Sequence, residues 1–258
     1  MCLIIVKPKG VELPLRPLLK TSWINNPDGF GLAYNTGHSV VIIKGAMRWR
    51  TTKKLLAQVP TPKDRDMVLH FRQATEGKIC PQNCHPFPIS KDKDALQATR
   101  IVTDLAIAHN GIIWDNTMLP SYTDKVKQYK VSQHSDTQRF VRKTLARMGT
   151  AILNRGVQDY IVEQTTSVYA LITPTQVMTM GKFVSAPEAE GCSFSNHGYA
   201  PITYKYKDGD DWAATSCRTY KTCELCGAIV GYTFKIEDMN ACWTCYRAFA
   251  DIDDDGTP

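Results

Sequence analysis

What the sequence lacks restricts the kind of protein it can encode. No apolar run among its 258 residues approaches the ~20 residues that a membrane-spanning helix needs, so we expect no contact with a membrane. The N-terminus has neither the basic region nor the long apolar stretch of a signal peptide. We therefore expect a cytoplasmic protein, and we interpret its nine cysteines as thiols or metal ligands rather than as disulfides.

The sequence also has no long internal repeat and no large excess of one charge. Its formal net charge of +6 is modest for this length, so it permits contact with nucleic acid without predicting it. Hydrophobic residues make up 43% of the chain, which is ordinary for a globular protein. The length is sufficient for one large domain with a small appendage.

Apolar runs bounded by turn residues predict strands that do not alternate regularly with helices. Two hairpins are predicted, at 30–45 and 168–180, and a further strand is predicted at 101–108, broken by His109-Asn110-Gly111. Segregated strands and helices favour an α+β fold over a doubly wound one.

A helix is predicted to begin at Ser135 or Asp136, either of which can cap it. Apolar residues recur at helical spacing beyond that point, and basic residues occupy the opposite face. We interpret this basic face as a solvated helix surface; its members are Arg139, Arg142, Lys143 and Arg147.

Cys2 is the candidate nucleophile. It precedes the apolar run Leu3-Ile4-Ile5-Val6, which is typical of a buried strand. If Met1 is removed, Cys2 carries both a thiol and a free α-amine, and an amine with a pKa near ~7.7–8.0 can act as the base for its own thiol. The alternative is that Cys2 is a small buried residue at the start of a strand. Its position alone favours that alternative, so other motifs must decide.

Several loop motifs follow Cys2 in a recognisable order. They are Asn26-Pro27-Asp28-Gly29-Phe30-Gly31, His70-Phe71-Arg72-Gln73-Ala74-Thr75-Glu76-Gly77, Asn83-Cys84-His85-Pro86-Phe87, His109-Asn110-Gly111 and Ser135-Asp136-Thr137. Each is weak alone, but in this order behind an N-terminal Cys they resemble class II glutamine amidotransferases of the N-terminal nucleophile hydrolase superfamily. The earliest loop is similar to that of stand-alone members without a fused synthase. The resemblance covers about residues 2–200.

The resemblance implies a fold and a reaction. The implied fold is a four-layer αββα sandwich, and the implied maturation step is removal of Met1. Cys2 would attack the γ-carbonyl of L-glutamine, form a γ-glutamyl thioester and release ammonia, with glutamate as the final product. No cofactor is expected for catalysis. Because no synthase domain is visible in this chain, the ammonia would pass to a separate acceptor enzyme, or the protein would act as a stand-alone amidase.

The resemblance also assigns roles to five loop residues. The side-chain N–H of Asn110 and the backbone N–H of Gly111 would stabilise the oxyanion. Arg72 would pair with the substrate α-carboxylate, with help from Thr75. Asp136 would accept a hydrogen bond from the α-ammonium group.

Each assignment has an ordinary structural alternative. Arg72 could be a surface charge at a strand end, Asp136 could be a helix cap, and Asn110-Gly111 could be a hairpin turn. We interpret His70 and His109 as packing or loop-ordering residues, because an N-terminal amine makes a histidine base unnecessary. Gln73 and Glu76 stand where many synthase-fused members have tryptophan and histidine, so another γ-glutamyl compound is an alternative substrate.

Two Cys-x-x-Cys pairs near the C-terminus predict a second, metal-binding unit. Fifteen residues separate Cys226 of the first pair from Cys242 of the second, which matches a four-thiolate zinc site completed by Cys223 and Cys245. Residues 228–236 can form the strands of a zinc ribbon, whose folding free energy would come mostly from metal binding. The ribbon could dock a protein or nucleic acid, although its nearby Lys and Arg residues form no long basic stripe.

These observations divide the chain into four parts. We assign residues 2–204 to the amidotransferase-like domain, 205–216 to a linker, 217–250 to the zinc ribbon and 251–258 to an acidic disordered tail. The tail imitates the start of a calcium loop, but it lacks the glutamate required at position twelve.

Two functions remain as hypotheses. The first is a glutamine amidotransferase, and the second is a zinc-ribbon adaptor that binds nucleic acid or protein and carries a degenerate hydrolase domain. The complete set of Cys2, Arg72, Asn110, Gly111 and Asp136 favours the enzyme, because a degenerate copy would be expected to lose some of them.

Overall fold

The computed structural model describes residues 2–113, 134–201, 221–230, 234–236, 239–242 and 245–246. The predicted linker and the predicted acidic tail lie outside these residues, so both stay predictions. No helix in the described part is long and apolar enough to cross a membrane.

The described elements are mostly short strands. The strands are β1 (Leu3–Lys7), β2 (Phe30–Asn35), β3 (Val40–Ala46), β4 (Met67–Phe71), β5 (Phe87–Pro88), β6 (Arg100–Thr103), β7 (Ala106–Asn110), β8 (Val168–Ile172), β9 (Val177–Met180), β10 (Val184–Ser185), β11 (Ser193–Phe194), β12 (Lys221–Thr222), β13 (Ile229–Val230), β14 (Phe234–Ile236) and β15 (Met239–Ala241). The helices are α1 (Arg16–Asn25), α2 (Trp49–Leu56), α3 (Lys93–Gln97), α4 (Asp136–Phe140), α5 (Ala146–Met148) and α6 (Arg155–Thr165), with a π-helical turn (Val141–Leu145) joining α4 to α5.

Seven strands form the larger sheet in the order β10-β11-β1-β4-β2-β3-β6, and neighbouring strands are antiparallel. Strand β1 pairs with β4 along its whole length, with Leu3 opposite Phe71. This register brings the start of β1, where Cys2 lies, beside the end of β4, where Arg72 follows.

Four strands form the smaller, antiparallel sheet in the order β5-β7-β8-β9. Strand β7 ends at Asn110, opposite Val168 of β8, and Gly111 follows directly. Both hairpins predicted from the sequence, β2–β3 and β8–β9, are confirmed, and so is the α+β class with antiparallel sheets.

Alternate strand residues enter different apolar clusters, because successive side chains of a strand point to opposite faces. One cluster joins the larger sheet to α1 and α2 and includes Leu3, Ile5, Leu69, Leu19, Trp23 and Trp49. A second joins the two sheets and includes Ile4, Val6, Val68, Ala108 and Ala170. A third joins the smaller sheet to the helical segment 136–165 and includes Ile107, Tyr169, Leu171, Val141, Leu145 and Ile161.

The single strand predicted at 101–108 is wrong. The chain forms two strands here, β6 in the larger sheet and β7 in the smaller one. Strand β6 is an edge strand with exposed residues such as Val102, which is 64% exposed, whereas β7 is buried throughout. The chain therefore passes from one sheet to the other between Thr103 and Ala106, at the polar pair Thr103-Asp104 that interrupts the apolar residues.

Ser135 is the cap of the predicted helix. Its side-chain oxygen accepts a hydrogen bond from the backbone N–H of Gln138 at 3.3 Å, and Asp136 is the first helical residue. The cap role offered as an alternative for Asp136 is thus filled by its neighbour.

Candidate functional site

Cys2 lies half-buried against the loop that follows β4. Its Sγ atom accepts a hydrogen bond from the backbone N–H of Gln73 and donates one to the carbonyl oxygen of the same residue, each at 3.3 Å. Burial raises the pKa of the Cys2 thiol above its ordinary value, although the Gln73 hydrogen bond and the Arg72 charge act in the opposite direction. The thiol is therefore protonated near neutral pH and needs a base to become a nucleophile.

Residues late in the chain fix the position of Cys2. Asn196 Nδ2 donates to the carbonyl oxygen of Cys2 at 2.7 Å. Ser195 Oγ accepts from the backbone N–H of Ile4 at 2.9 Å and from Asn110 Nδ2 at 3.0 Å. Ser195 thus links the first strand directly to Asn110. The sequence analysis missed Ser195 and Asn196, since their contacts with Cys2, Ile4 and Asn110 join residues far apart in the sequence.

Arg72 is buried, not a surface charge, because its side chain is only 2% exposed. Its guanidinium group donates to the carbonyl oxygens of Glu76, Gly77 and Lys78 at 3.0–3.3 Å, so the loop folds around the charge. No described carboxylate forms an ion pair with Arg72. Thr75 lies on the same loop and is exposed.

Asn110 and Gly111 do not form the turn of a hairpin, since β7 pairs with the distant strand β8. Asn110 is buried, and its Oδ1 atom has no partner in the described part of the chain. Gly111 has φ +150°, and a Cβ atom there would lie 2.1 Å from Ser167 Oγ. Glycine is therefore required at this position by both backbone conformation and close packing.

Asp136 orders the backbone on both sides of it. Its Oδ2 atom accepts from the backbone N–H of Ile113 at 2.9 Å, and its Oδ1 atom accepts from the backbone N–H of Thr137 at 2.7 Å. The Asp136 charge raises the pKa of Cys2 while the Arg72 charge lowers it. Both charges are therefore close enough to act on the thiol.

Two buried histidines bond to the hydroxyl group of Thr137, and a third, His70, lies beside them. Thr137 Oγ1 lies 3.0 Å from His85 Nε2 and 2.8 Å from His109 Nδ1, and it donates to Asp136 Oδ1 at 3.2 Å. Because the hydroxyl proton is directed to Asp136, both ring nitrogens donate to the hydroxyl oxygen, a tautomer assignment made from the network. His70 Nε2 donates to the carbonyl oxygen of His109 at 3.1 Å.

Burial keeps these histidines neutral. It lowers the pKa of His70 to about 3 and that of His109 to about 4, and it lowers the pKa of His85 well below its ordinary value. The rings of His70 and His85 also pack against each other, with their centroids 4.2 Å apart and their planes tilted by 34°. These contacts fit the prediction that His70 and His109 are packing residues, and they place Thr137 at the centre of the cluster.

The four predicted metal ligands form a compact cluster. Their sulfur atoms all lie within 4.8 Å of one another, and Cys226 Sγ is 3.8 Å from Cys242 Sγ. A tetrahedral zinc–thiolate site with bonds of ~2.3 Å has sulfur–sulfur edges of ~3.8 Å, so the donor set fits such an ion. Hydrogen bonding from the Cys245 thiol lowers the pKa of Cys226 to about 5.

Tight turns bring the four sulfur atoms together. Cys223 N donates to Ala228 O and Gly227 N donates to Cys223 O, each at 2.8 Å, and Gly227 has φ +74°. Strands β12–β13 and β14–β15 form two antiparallel pairs around these turns, so strands exist within the predicted segment 228–236. The loop Cys80-Pro81-Gln82-Asn83-Cys84-His85 is not among the described groups close enough to share a metal ion.

Comparison with known proteins leaves the site to be interpreted from its geometry. No protein-family model matches the chain, and no curated protein matches it.

Proposed function

We propose that this chain is a class II glutamine amidotransferase that hydrolyses L-glutamine to glutamate and ammonia through a thioester on Cys2. The observation that carries the proposal is the convergence on Cys2 of motifs that are far apart in the sequence. The loop after β4 contacts the thiol, Ser195 connects Asn110 to the first strand, and the charges of Arg72 and Asp136 both act on the thiol.

Arg72 and Asp136 carry opposite charges that both act on the thiol, and these charges match the two ends of an amino acid zwitterion. Three of the five guanidinium N–H groups of Arg72 bind carbonyl oxygens of its own loop, which leaves two for a substrate α-carboxylate. A carboxylate offers about four acceptor sites, and Asp136 uses three of its own within the protein. The remaining site would accept from the α-ammonium group.

The proposed reaction begins with removal of Met1, which frees the α-amine of Cys2. That amine takes the proton of the thiol, and Sγ attacks the γ-carbonyl carbon. The second N–H of Asn110 Nδ2 and the backbone N–H of Gly111 would stabilise the oxyanion. Ammonia leaves with the shuttled proton, and water then hydrolyses the thioester to glutamate. We expect a separate enzyme to accept the ammonia.

The arrangement of apolar clusters supports the corresponding fold. Clusters lie between helices and the larger sheet, between the two sheets, and between the smaller sheet and helices. That order is the one expected for a four-layer αββα sandwich of the N-terminal nucleophile hydrolase type.

We further propose that Cys223, Cys226, Cys242 and Cys245 hold one structural Zn²⁺. The four sulfur donors and their spacing support zinc over harder ions, which prefer oxygen ligands. The metal would fold the short C-terminal unit, for which the strand pairs alone bury too little surface.

Ammonia release from L-glutamine tests the proposed activity. We expect release by the wild-type protein and none by Cys2→Ala, whereas Cys80→Ala, which changes a half-buried thiol elsewhere, should keep the activity. Release from another γ-glutamyl amide but not from glutamine would revise the substrate. Absence of release from every γ-glutamyl compound, with or without partner proteins, would favour a zinc-ribbon adaptor.

A further inference from the structure

A second concave site lies on the side of the helical segment that faces α3. Counted together with the solvent at its open mouth, the space in this cleft is about 260 Å³. Three cations line it, Lys93 from α3 and Arg139 and Arg142 from the segment that begins at α4, and no acidic residue is part of the lining. The sequence predicts one solvated basic face on this helical segment, but two of its members, Arg139 and Arg142, line the cleft instead.

The wall of the cleft is fixed by amide groups. Gln97 Nε2 donates to Gln138 Oε1 at 2.6 Å, and Gln138 Nε2 donates to Gln82 O and Asn83 Oδ1 at 3.1 and 2.9 Å. Gln97 Nε2 also donates to His134 Nδ1 at 3.2 Å, which leaves His134 Nε2 as the protonated ring nitrogen. These hydrogen bonds hold the wall of the cleft in place, while the donors that face a ligand come from its cationic side chains.

The cations of the cleft are incompletely neutralised. Arg139 pairs with the carboxylate of Glu76. Lys93 and Arg142 form no ion pair with any described residue. The nearby carboxylate of Asp92 accepts from the backbone N–H of Asp94 at the start of α3. Net positive charge thus remains in a small space.

We propose that this cleft binds the dianionic phosphate group of a small phosphorylated ligand. Arginine presents paired donors that match phosphate oxygens, and Lys93 adds a point charge. The compact shape of the cleft favours a single phosphate group over nucleic acid, which needs basic residues spread along a stripe. Glu76 competes with the ligand for Arg139. Since the Glu76 carbonyl also accepts from Arg72, the cleft adjoins the loop that contacts Cys2.

Isothermal titration calorimetry of the full-length protein with inorganic phosphate and with glycerol 3-phosphate, at constant ionic strength, tests this proposal. We expect either binding of both probes or binding of glycerol 3-phosphate alone. Binding of both probes would indicate a site that also accepts free phosphate, and binding of the ester alone would indicate a site for phosphorylated molecules. Arg142→Gln and the exposed Lys93→Gln should each weaken binding about tenfold. Glu76→Gln should strengthen binding, because it removes the competing carboxylate. Arg147→Gln, which removes an exposed charge of the same segment outside the cleft, should have no effect.

Three results would overturn the proposal. They are no binding of either probe at about 10 mM, equal binding by the wild type and Arg142→Gln, and binding of a single-stranded oligonucleotide without binding of the ester. The assay requires no glutamine hydrolysis, so its outcome is independent of the proposed activity. Unchanged melting temperatures of Lys93→Gln and Arg142→Gln would show that both variants are folded.

Discussion

Replacing Thr137 by valine is the sharpest test of how the candidate site is held together. The hydroxyl group of Thr137 accepts from His85 and His109 and donates to Asp136, and all four residues are buried. Valine has nearly the same shape but cannot form any of these hydrogen bonds. The substitution therefore removes the polar connection without creating a cavity.

The expected loss of stability follows from the donors left unpaired. Each buried ring N–H without an acceptor costs about 2 kcal/mol, so two of them cost about 4 kcal/mol. Asp136 keeps its two backbone donors and adds little to this loss. For a domain of this size the melting temperature should fall by about 10 °C.

Urea unfolding at pH 7.5 measures the difference, and Thr137→Ser is the matched control. Serine keeps the hydroxyl group and loses one methyl group, which costs about 1 kcal/mol. Valine should therefore be less stable than serine by about 3 kcal/mol. Equal stability of the two variants would refute the reasoning that Thr137 is the centre of a buried hydrogen-bond network.

Three further predictions concern a glycine, the histidines and the metal. Gly111→Ala should lower stability by about 2 kcal/mol or more in urea unfolding, because its Cβ would meet Ser167 Oγ. The control is Gly37→Ala, where φ is +92° and the surrounding space is open, so the loss should be about 1 kcal/mol. Equal losses for the two variants would contradict this prediction. Stability should fall between pH 7.5 and 5.0 by about 2 kcal/mol for each of His70 and His109, and His85 should add a loss in the same direction. The pKa values of these histidines are lower in the folded state than in the unfolded state, so the unfolded state binds more protons below pH 6.5. The stability that the neutral histidines contribute is therefore lost as the pH falls. Urea midpoints that do not change over this range would contradict the prediction. Metal analysis should find about one zinc per chain. A chelator should release this zinc and destabilise the C-terminal unit. A metal-free preparation in which the C-terminal unit stays folded would contradict the zinc proposal.

Local patterns in the sequence were sufficient for much of this architecture. The two hairpins, the cap at Ser135 and the clustering of four cysteines depend on turn chemistry, helix-end hydrogen bonds and metal-ligand spacing, all of which are written in short segments. The adjacency of Cys2 and Arg72 follows from the pairing of β1 with β4, which the sequence alone does not fix.

The remaining features depend on contacts between distant segments. The split of 101–108 into β6 and β7 falls at Thr103-Asp104, a polar pair that could have marked the break, but the choice of sheet for each strand depends on distant partners. Ser195 reaches Asn110 only because β11 lies beside β1. The cleft lined by Lys93 and Arg142 likewise requires two helices to be brought together.

The central claim is that Cys2 is an N-terminal nucleophile within a glutamine site, and one labelling measurement tests it most directly. The purified protein is treated with an electrophilic diazoketone analogue of glutamine, and its N-terminal peptide is analysed by mass spectrometry. The account predicts a peptide that begins at Cys2, lacks Met1 and carries the analogue on its sulfur, with labelling prevented by excess L-glutamine. An N-terminal peptide that retains Met1, or a Cys2 that stays unlabelled while the protein is folded, would contradict the account.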